Sequence, residues 1–203
     1  MSVADGSPSR RFGGRRTYDM TSLLDIAVTE FNQRGYDATS MEHLSRAAGI
    51  TKSSFYHHIS GKEALLRAAL ERALGGLFAV LDESGALAGT PLERLRYVIR
   101  RQVEVLIAEL PYVTLLLRVR GNTETERWAL DRRRAFDAEV AAMVRAAVTA
   151  GEVRDDVNPA HAARLLSGLA NSIVEWYHPS RPGHADLPDE LIRIAFEGLL
   201  PRS

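Results

Sequence analysis

The chain has 203 residues, 45% hydrophobic and 26% charged, an ordinary globular composition with length enough for one large core or two small ones. Its 26 basic and 26 acidic residues cancel, so net charge announces no nucleic-acid partner, and such a partner must be met by a local arrangement. The absence of cysteine excludes disulfide frameworks, zinc ribbons and thiol catalysis; no apolar run reaches the ~20 residues that span a bilayer, and no signal-peptide core opens the chain, so a soluble cytoplasmic protein without a membrane partner is expected.

Residues 1–18 are rich in Ser, Gly and Arg and read as a flexible basic arm. Arg10, Arg11, Arg15 and Arg16 crowd it against Asp5 and Asp19, which suits either a solvated tail or a strand that tracks phosphate. Asp19 or Thr21 caps a first helix to about Arg34, with Leu23, Leu24, Ala27, Val28 and Phe31 as its apolar stripe and Gly35 as its stop.

The densest stretch is Thr39 to Leu66. Thr39-x-x-Glu42 reads as a capping box opening a short helix with Leu44 and Ala48 on one face. Gly49 ends it where a sharp turn needs φ > 0, and Ile50 pins the turn. Thr51 caps the next helix, and Ser60-x-x-Glu63 reads as a third start. Two short helices joined by a glycine turn make a helix-turn-helix. The fourth helix carries Leu65, Leu66, Ala69, Leu70, Ala73, Leu74 and Leu77, with Gly75-Gly76 inside it as a close crossing or a bending point.

After the linker GALAGT, Thr90-Pro91-Leu92-Glu93 opens a helix that breaks at Pro111. Tyr112 to Arg120 reads as a short buried helix. Thr123-x-x-Glu126 opens a long one to Gly151, Asn158-Pro159 opens another to about Tyr177, and Asp186 caps a last helix to about residue 200. No stretch alternates with period two. The expectation is an all-α chain of about nine helices. It has a three-helix DNA-binding unit over 19–65 and a helical effector-binding and dimerisation domain over 66–203, the fourth helix belonging partly to each half.

A recognition helix meets the major groove by its N-terminal end. Thr51, Lys52 and Ser53 lie there; Tyr56 stands one turn beyond Lys52, and His57 flanks it. Lys52 is one of two lysines in a chain that otherwise uses arginine, and it suits a phosphate or a guanine edge. Phe55 and His58 are expected to pack inward. Adjacent His57 and His58 diverge by about 100° on a helix and cannot chelate one ion, so no metal is expected. No Gly-x-Ser-x-Gly motif, glycine-rich phosphate loop or cysteine is present, so no catalytic residue or cofactor is expected.

AAGITKSSFYHHISGKEALL resembles the DNA-binding signature of the TetR/AcrR repressors, with Ile59 where that family usually has Phe. The resemblance covers roughly residues 19–70. It implies that Tyr56 and Lys62 are phosphate clamps, that Lys52, Ser53 and His57 face bases, and that Thr39 and Ser40 open the second helix against the backbone. It implies a double-stranded operator, repression, and a distal half that binds a small molecule.

One helix-turn-helix reads half a site, so a homodimer is expected, with helices 159–177 and 187–200 as its interface. The segment NSIVEWYHPSRPG is similar to TetR members that respond to acyl-CoA thioesters, such as the cholesterol-ring and phenylacetate catabolism repressors; EHLSRAAGITKSS and LLLRVRGN look closest to the phenylacetate type. The effector implied is an acyl-CoA. Arg118, Arg120, Trp128, Asn171, Trp176 and Tyr177 are its expected contacts, and Arg132, Arg133 and Arg134 are further guanidinium partners for CoA phosphates. The alternatives are a free hydrophobic or aromatic effector, as in efflux regulators, and a helical thioester hydrolase.

Overall fold

The computed structural model describes residues 19–57, 59–181 and 186–197. Among them are ten α-helices and no strand: α1 (Met20–Arg34), α2 (Met41–Ala48), α3 (Lys52–Tyr56), α4 (Lys62–Ala79), α5 (Ser84–Leu87), α6 (Pro91–Ala108), α7 (Leu110–Arg118), α8 (Glu124–Thr149), α9 (Pro159–Asn171) and α10 (Leu187–Glu197). The all-α expectation holds. The extra helix is α5, a single turn at the head of the expected linker. The arm over 1–18, His58, His184 and the end of the last helix lie outside the described residues.

The predicted apolar stripe of α1 is its buried face: Leu23, Leu24, Ala27, Val28 and Phe31. Asp19 Oδ1 accepts from Ser22 N at 2.8 Å, and Gly35 stops the helix at φ 86°. Gly49 ends α2 at φ 67°, the left-handed conformation that the turn into α3 requires. Thr90 and Glu93 cap α6 reciprocally with Pro91 in its first turn, and Asn158 caps α9.

Two expected caps are corrected. The box at α2 belongs to Ser40 and His43, not Thr39 and Glu42: Ser40 Oγ accepts from His43 N at 3.2 Å and Ser40 N donates to His43 Nδ1 at 3.4 Å. Thr39 is 1% exposed and donates its hydroxyl to Gly35 O at 2.7 Å, so the turn before the helix uses it. At α4 the cap position is Gly61, with no side-chain bond; Glu63 instead accepts from Thr125 Oγ1 at 3.0 Å. At α4 a partner distant in sequence takes the glutamate, and at α2 a carbonyl four residues back takes the threonine.

Helix ends also shift. The short apolar helix is Leu110–Arg118, because Pro111 is accommodated in a first turn where no N–H is needed. The helix from Pro159 stops at Asn171 and tightens into a 3₁₀ turn over Ser172–Glu175, short of the expected Tyr177. The Gly75-Gly76 pair leaves α4 unbroken; a Cβ on Gly76 would lie 3.2 Å from Val105 Cγ1, so a close crossing with α6 accounts for that glycine.

α1 packs on α2 and on α4, and α3 packs on α2. α4 continues into the second half against α6, α7 and α8. There α6, α8 and α9 pack on one another, and α10 lies on α6 and α9. One apolar core runs through both halves, from Leu23 and Phe31 through Leu66 and Leu70 to Val103, Phe136 and Val140. At roughly 1.5–3 kcal/mol per buried large side chain, this shared core couples the halves mechanically. Among the described residues no helix is long and apolar enough to cross a membrane.

Candidate nucleic-acid interface and effector cavity

α3 has five residues, too few to be stable alone, and two features hold it. Phe55 is fully buried and anchors the helix to the core. Thr51 Oγ1 accepts from Ser54 N at 3.1 Å and closes the first turn. Phe55 is turned inward, while Thr51, Lys52, Ser53, Tyr56 and His57 are all exposed, Tyr56 at 45%. The tip therefore presents a cation, hydroxyls, a phenol and an imidazole. Phosphate oxygens and base edges are what such a set can meet.

The remaining expected DNA contacts differ in kind. Ser40 is exposed at the start of α2. The Thr39 hydroxyl is buried against Gly35 O, so Ser40 is the side chain that stands exposed at this helix start. Lys62 lies 4.2 Å from the Tyr36 ring centre and donates to Tyr36 O at 2.8 Å, so its ammonium is held on the α1–α2 connection. Burial first, and the charge of Glu63 next, push the Tyr36 phenol up to about 12.

The distal half holds a cavity of about 210 Å³ enclosed by α4, α6, α7, α8 and α9. Leu77, Val105, Val113, Leu116, Leu117 and Phe136 form much of its apolar wall. Its polar lining includes Gln102, Arg133, Asp137, Arg164, Ser167 and Asn171. Gln102 is 5% exposed, and its Oε1 has no hydrogen-bond partner among the described residues. Ser167 Oγ donates to Asp137 Oδ1 at 3.1 Å. Burial lowers the pKa of Arg133 from the usual arginine range, with the Asp137 charge opposing. A desolvated guanidinium in an apolar wall suits an anionic or strongly polar ligand group.

Of the six expected ligand contacts, Asn171 alone lines this cavity. Arg118 and Arg120 line a separate groove beside the end of α1, where Arg118 Nη1 donates to Asn32 O at 2.8 Å. Trp128, half-buried, carries the Arg67 guanidinium 3.4 Å from its ring centre, between α8 and α4. Trp176, 44% exposed, and Tyr177 follow the 3₁₀ turn and stand outside the cavity lining. These five stand away from this cavity: α7 ends before Arg120 and α9 before Trp176 and Tyr177, while Arg118 sits against α1 and Trp128 against α4. Gln102, Asp137, Arg164 and Ser167 were missed. Gln102 alone carried a sequence signal, an amide between Ile99 and Val103 on an otherwise apolar stripe.

α7 joins the cavity to the DNA-binding half. Val113, Leu116 and Leu117 face the cavity at i, i+3, i+4 spacing. The same helix packs on α1, where Tyr112 donates to Asp25, Arg72 donates to Tyr112 Oη at 3.0 Å, and Asn32 Nδ2 donates to Pro111 O at 2.8 Å. Beyond it, Glu126 Oε2 accepts from the backbone N–H groups of Arg120, Gly121 and Asn122 at 3.1, 2.7 and 2.8 Å, fixing the turn into α8.

Helices α9 and α10 leave an apolar outer face. Leu165 is 74% exposed, Leu169 38% and Ile194 46%. Such exposure on neighbouring helices is the kind that an association surface has.

Comparison with known proteins matches residues 23–69 to the tetR family of bacterial regulatory proteins and residues 88–199 to the tetracyclin repressor-like C-terminal domain. The HTH-type transcriptional repressor KstR2 of Rhodococcus jostii is 30% identical over 190 residues, covering 92% of this chain and 91% of the relative. A solved TetR-family regulator from Streptomyces coelicolor is 60% identical and superposes with a TM-score of 0.84 over 88% of this chain and 91% of its own. AibR, solved with isovaleryl coenzyme A and operator DNA, is 24% identical and shares the fold, with a TM-score of 0.74 over 86% of this chain and 96% of its own.

Proposed function

This chain belongs to the TetR family of transcriptional regulators, and from that premise we propose that it is a homodimeric repressor whose α3 tips hold a palindromic operator until a small molecule fills the distal cavity. It is a regulator and not an enzyme, as its relatives are. The division of labour is residues 19–65 for DNA, preceded by the basic arm, and 66–203 for effector and partner subunit. The site of action is the cytoplasm, where operator DNA is found.

The observation that carries the DNA-binding reading is the outward face of α3, with Thr51, Lys52, Ser53, Tyr56 and His57 exposed around a buried Phe55. Ser40 and Lys62 flank it. Two tips must sit one helical turn of DNA apart, about 34–36 Å, so operator binding needs the dimer, with α9 and α10 as its interface. A ligand that favours another spacing shifts the population away from the DNA-binding form. α7, with one side on the cavity and the other on α1, is the element through which that shift reaches the DNA.

The effector class we propose is an acyl-CoA thioester. An apolar cavity that also contains a desolvated arginine and an unpartnered glutamine Oε1 favours a ligand with an anionic or strongly polar group and a hydrogen-bond donor. The likeness of residues 171–183 to acyl-CoA-responsive members supports the same class. The competing reading, a free aromatic or hydrophobic effector, suits the apolar wall but leaves Arg133 and Gln102 without partners.

The test of the DNA-binding reading uses Lys52→Ala combined with Tyr56→Phe in the full chain. Operator fragments selected from genomic DNA with the wild type should bind this variant at least tenfold more weakly. Sedimentation should show the dimer intact. Full affinity in the variant removes α3 from the interface.

A further inference from the structure

The cavity is too small for the effector that its chemistry favours. At about 210 Å³ it falls below the roughly 300 Å³ at which pockets begin to enclose drug-sized ligands. An acyl group and its thioester fit inside; the nucleotide arm of coenzyme A does not. That arm carries phosphates and must lie outside the cavity.

A groove beside the cavity has the right chemistry. Asp137 and Arg164 wall the cavity and also line an adjoining groove of about 270 Å³ between α8 and α9. The α8 side of this groove is Arg134, Ala138, Ala141 and Arg145, which recur at i, i+4, i+7, i+11 on one helix face. Two alanines between two arginines leave a trough with a cation at each end. α9 supplies Ala160 and Arg164 at i, i+4 from across the groove.

The charges there are largely uncommitted. Among the described residues Arg145 and Arg164 make no ion pair. Arg134 pairs only with Asp131 at 2.6 Å, both side chains being at least 70% exposed, and such a pair contributes little. Asp137 is the one carboxylate in the groove, and Ser167 already donates to it. Three guanidiniums facing one engaged carboxylate leave an excess of positive charge.

We propose that Arg134, Arg145 and Arg164 cradle the phosphates of the effector's coenzyme A arm, with Arg164 as the post between cavity and groove. The acyl group lies in the cavity and the pantetheine arm passes out beside Arg164. The cradle rests on the acyl-CoA reading above and takes over the role expected of Arg118 and Arg120.

The experiment is calorimetric titration of the full chain with isovaleryl-CoA and phenylacetyl-CoA, and with the matching S-acyl pantetheines, which lack phosphate. The protein variants are Arg145→Gln/Arg164→Gln, Arg145→Lys/Arg164→Lys and Arg118→Gln/Arg120→Gln. The first should lose tenfold or more in affinity for whichever CoA thioester the wild type binds, with a flatter salt dependence. The lysine variant should lose less, because it keeps the charge without the bidentate fork. Both should lose much more affinity for the CoA thioester than for the S-acyl pantetheine, because Arg145 lines the groove alone while Arg164 also borders the cavity, and ligand-free operator binding should be unchanged. Equal CoA affinity in wild type and Arg145→Gln/Arg164→Gln overturns the cradle and leaves the effector class standing. A tenfold loss in Arg118→Gln/Arg120→Gln with none at Arg145 and Arg164 returns the phosphates to the groove beside α1. A wild type that binds neither CoA thioester overturns the effector class and the cradle with it.

Discussion

Thr51→Ala tests how far operator affinity depends on the order of a five-residue helix. In the structure Thr51 Oγ1 accepts from Ser54 N at 3.1 Å, and little besides Phe55 holds the tip. Removing an N-cap threonine costs about 1 kcal/mol. Because Phe55 stays anchored, the expected result is fraying of the α3 tip without loss of the fold. A palindromic operator needs two ordered tips, so the cost enters twice, at about 2 kcal/mol per dimer. At 1.4 kcal/mol per factor of ten, that is roughly 30-fold in Kd. Fluorescence anisotropy on a labelled operator at fixed salt measures it. Thr51→Ser keeps the cap oxygen and should bind within about threefold of wild type. The cap carries no charge, so the slope of log Kd against log salt should not change. Thr51→Ala binding within threefold of wild type, or Thr51→Ser binding as weakly as Thr51→Ala, would refute the reasoning.

Glu126→Ala removes the acceptor of three backbone N–H groups and should lower stability by about 3 kcal/mol, read as a lower urea midpoint at unchanged slope; a shift under 1 kcal/mol would mean that those groups find other partners. Glu83→Gln probes pH linkage. The bond from Arg101, then that from Tyr97, holds the Glu83 carboxyl at about 2, below its ordinary 4.5. Its stabilisation is therefore present above about pH 4.5 and lost as pH falls toward 2, so the gap between wild type and variant should be about 1 kcal/mol at pH 7 and shrink below pH 4.5. A gap that widens on acidification contradicts the assignment. Leu165→Asp places a charge on the most exposed apolar position of α9 and should convert the dimer to monomer in sedimentation at micromolar protein, while far-UV circular dichroism is unchanged. A persistent dimer moves the interface off α9.

Local chemistry made most of the helices legible. Asp19, Thr51, Thr90, Thr123 and Asn158 cap the helices they were expected to cap, because a cap involves only a side chain and a backbone group three residues away or less. The stripe of α1 and the inward Phe55 were legible because burial repeats with the helical period. Thr39 and Ser60 misled because each sits one residue before the true cap position. At α4 the outcome depends on Thr125, a partner that sequence spacing does not reveal, and at α2 on Gly35 O, which the preceding turn brings to Thr39.

The sequence by itself determined the all-helical class, the helix-turn-helix and the polar tip at residue 51, since each follows from residues within two turns of one another. The cavity was decided by tertiary structure alone: Gln102, Arg133 and Arg164 come from α6, α8 and α9 and meet only when those helices pack. The same packing left Arg118 and Arg120 beside α1, and set Arg145 and Arg164 across one groove, because the direction a guanidinium faces is set by the helix against which its own helix is pressed.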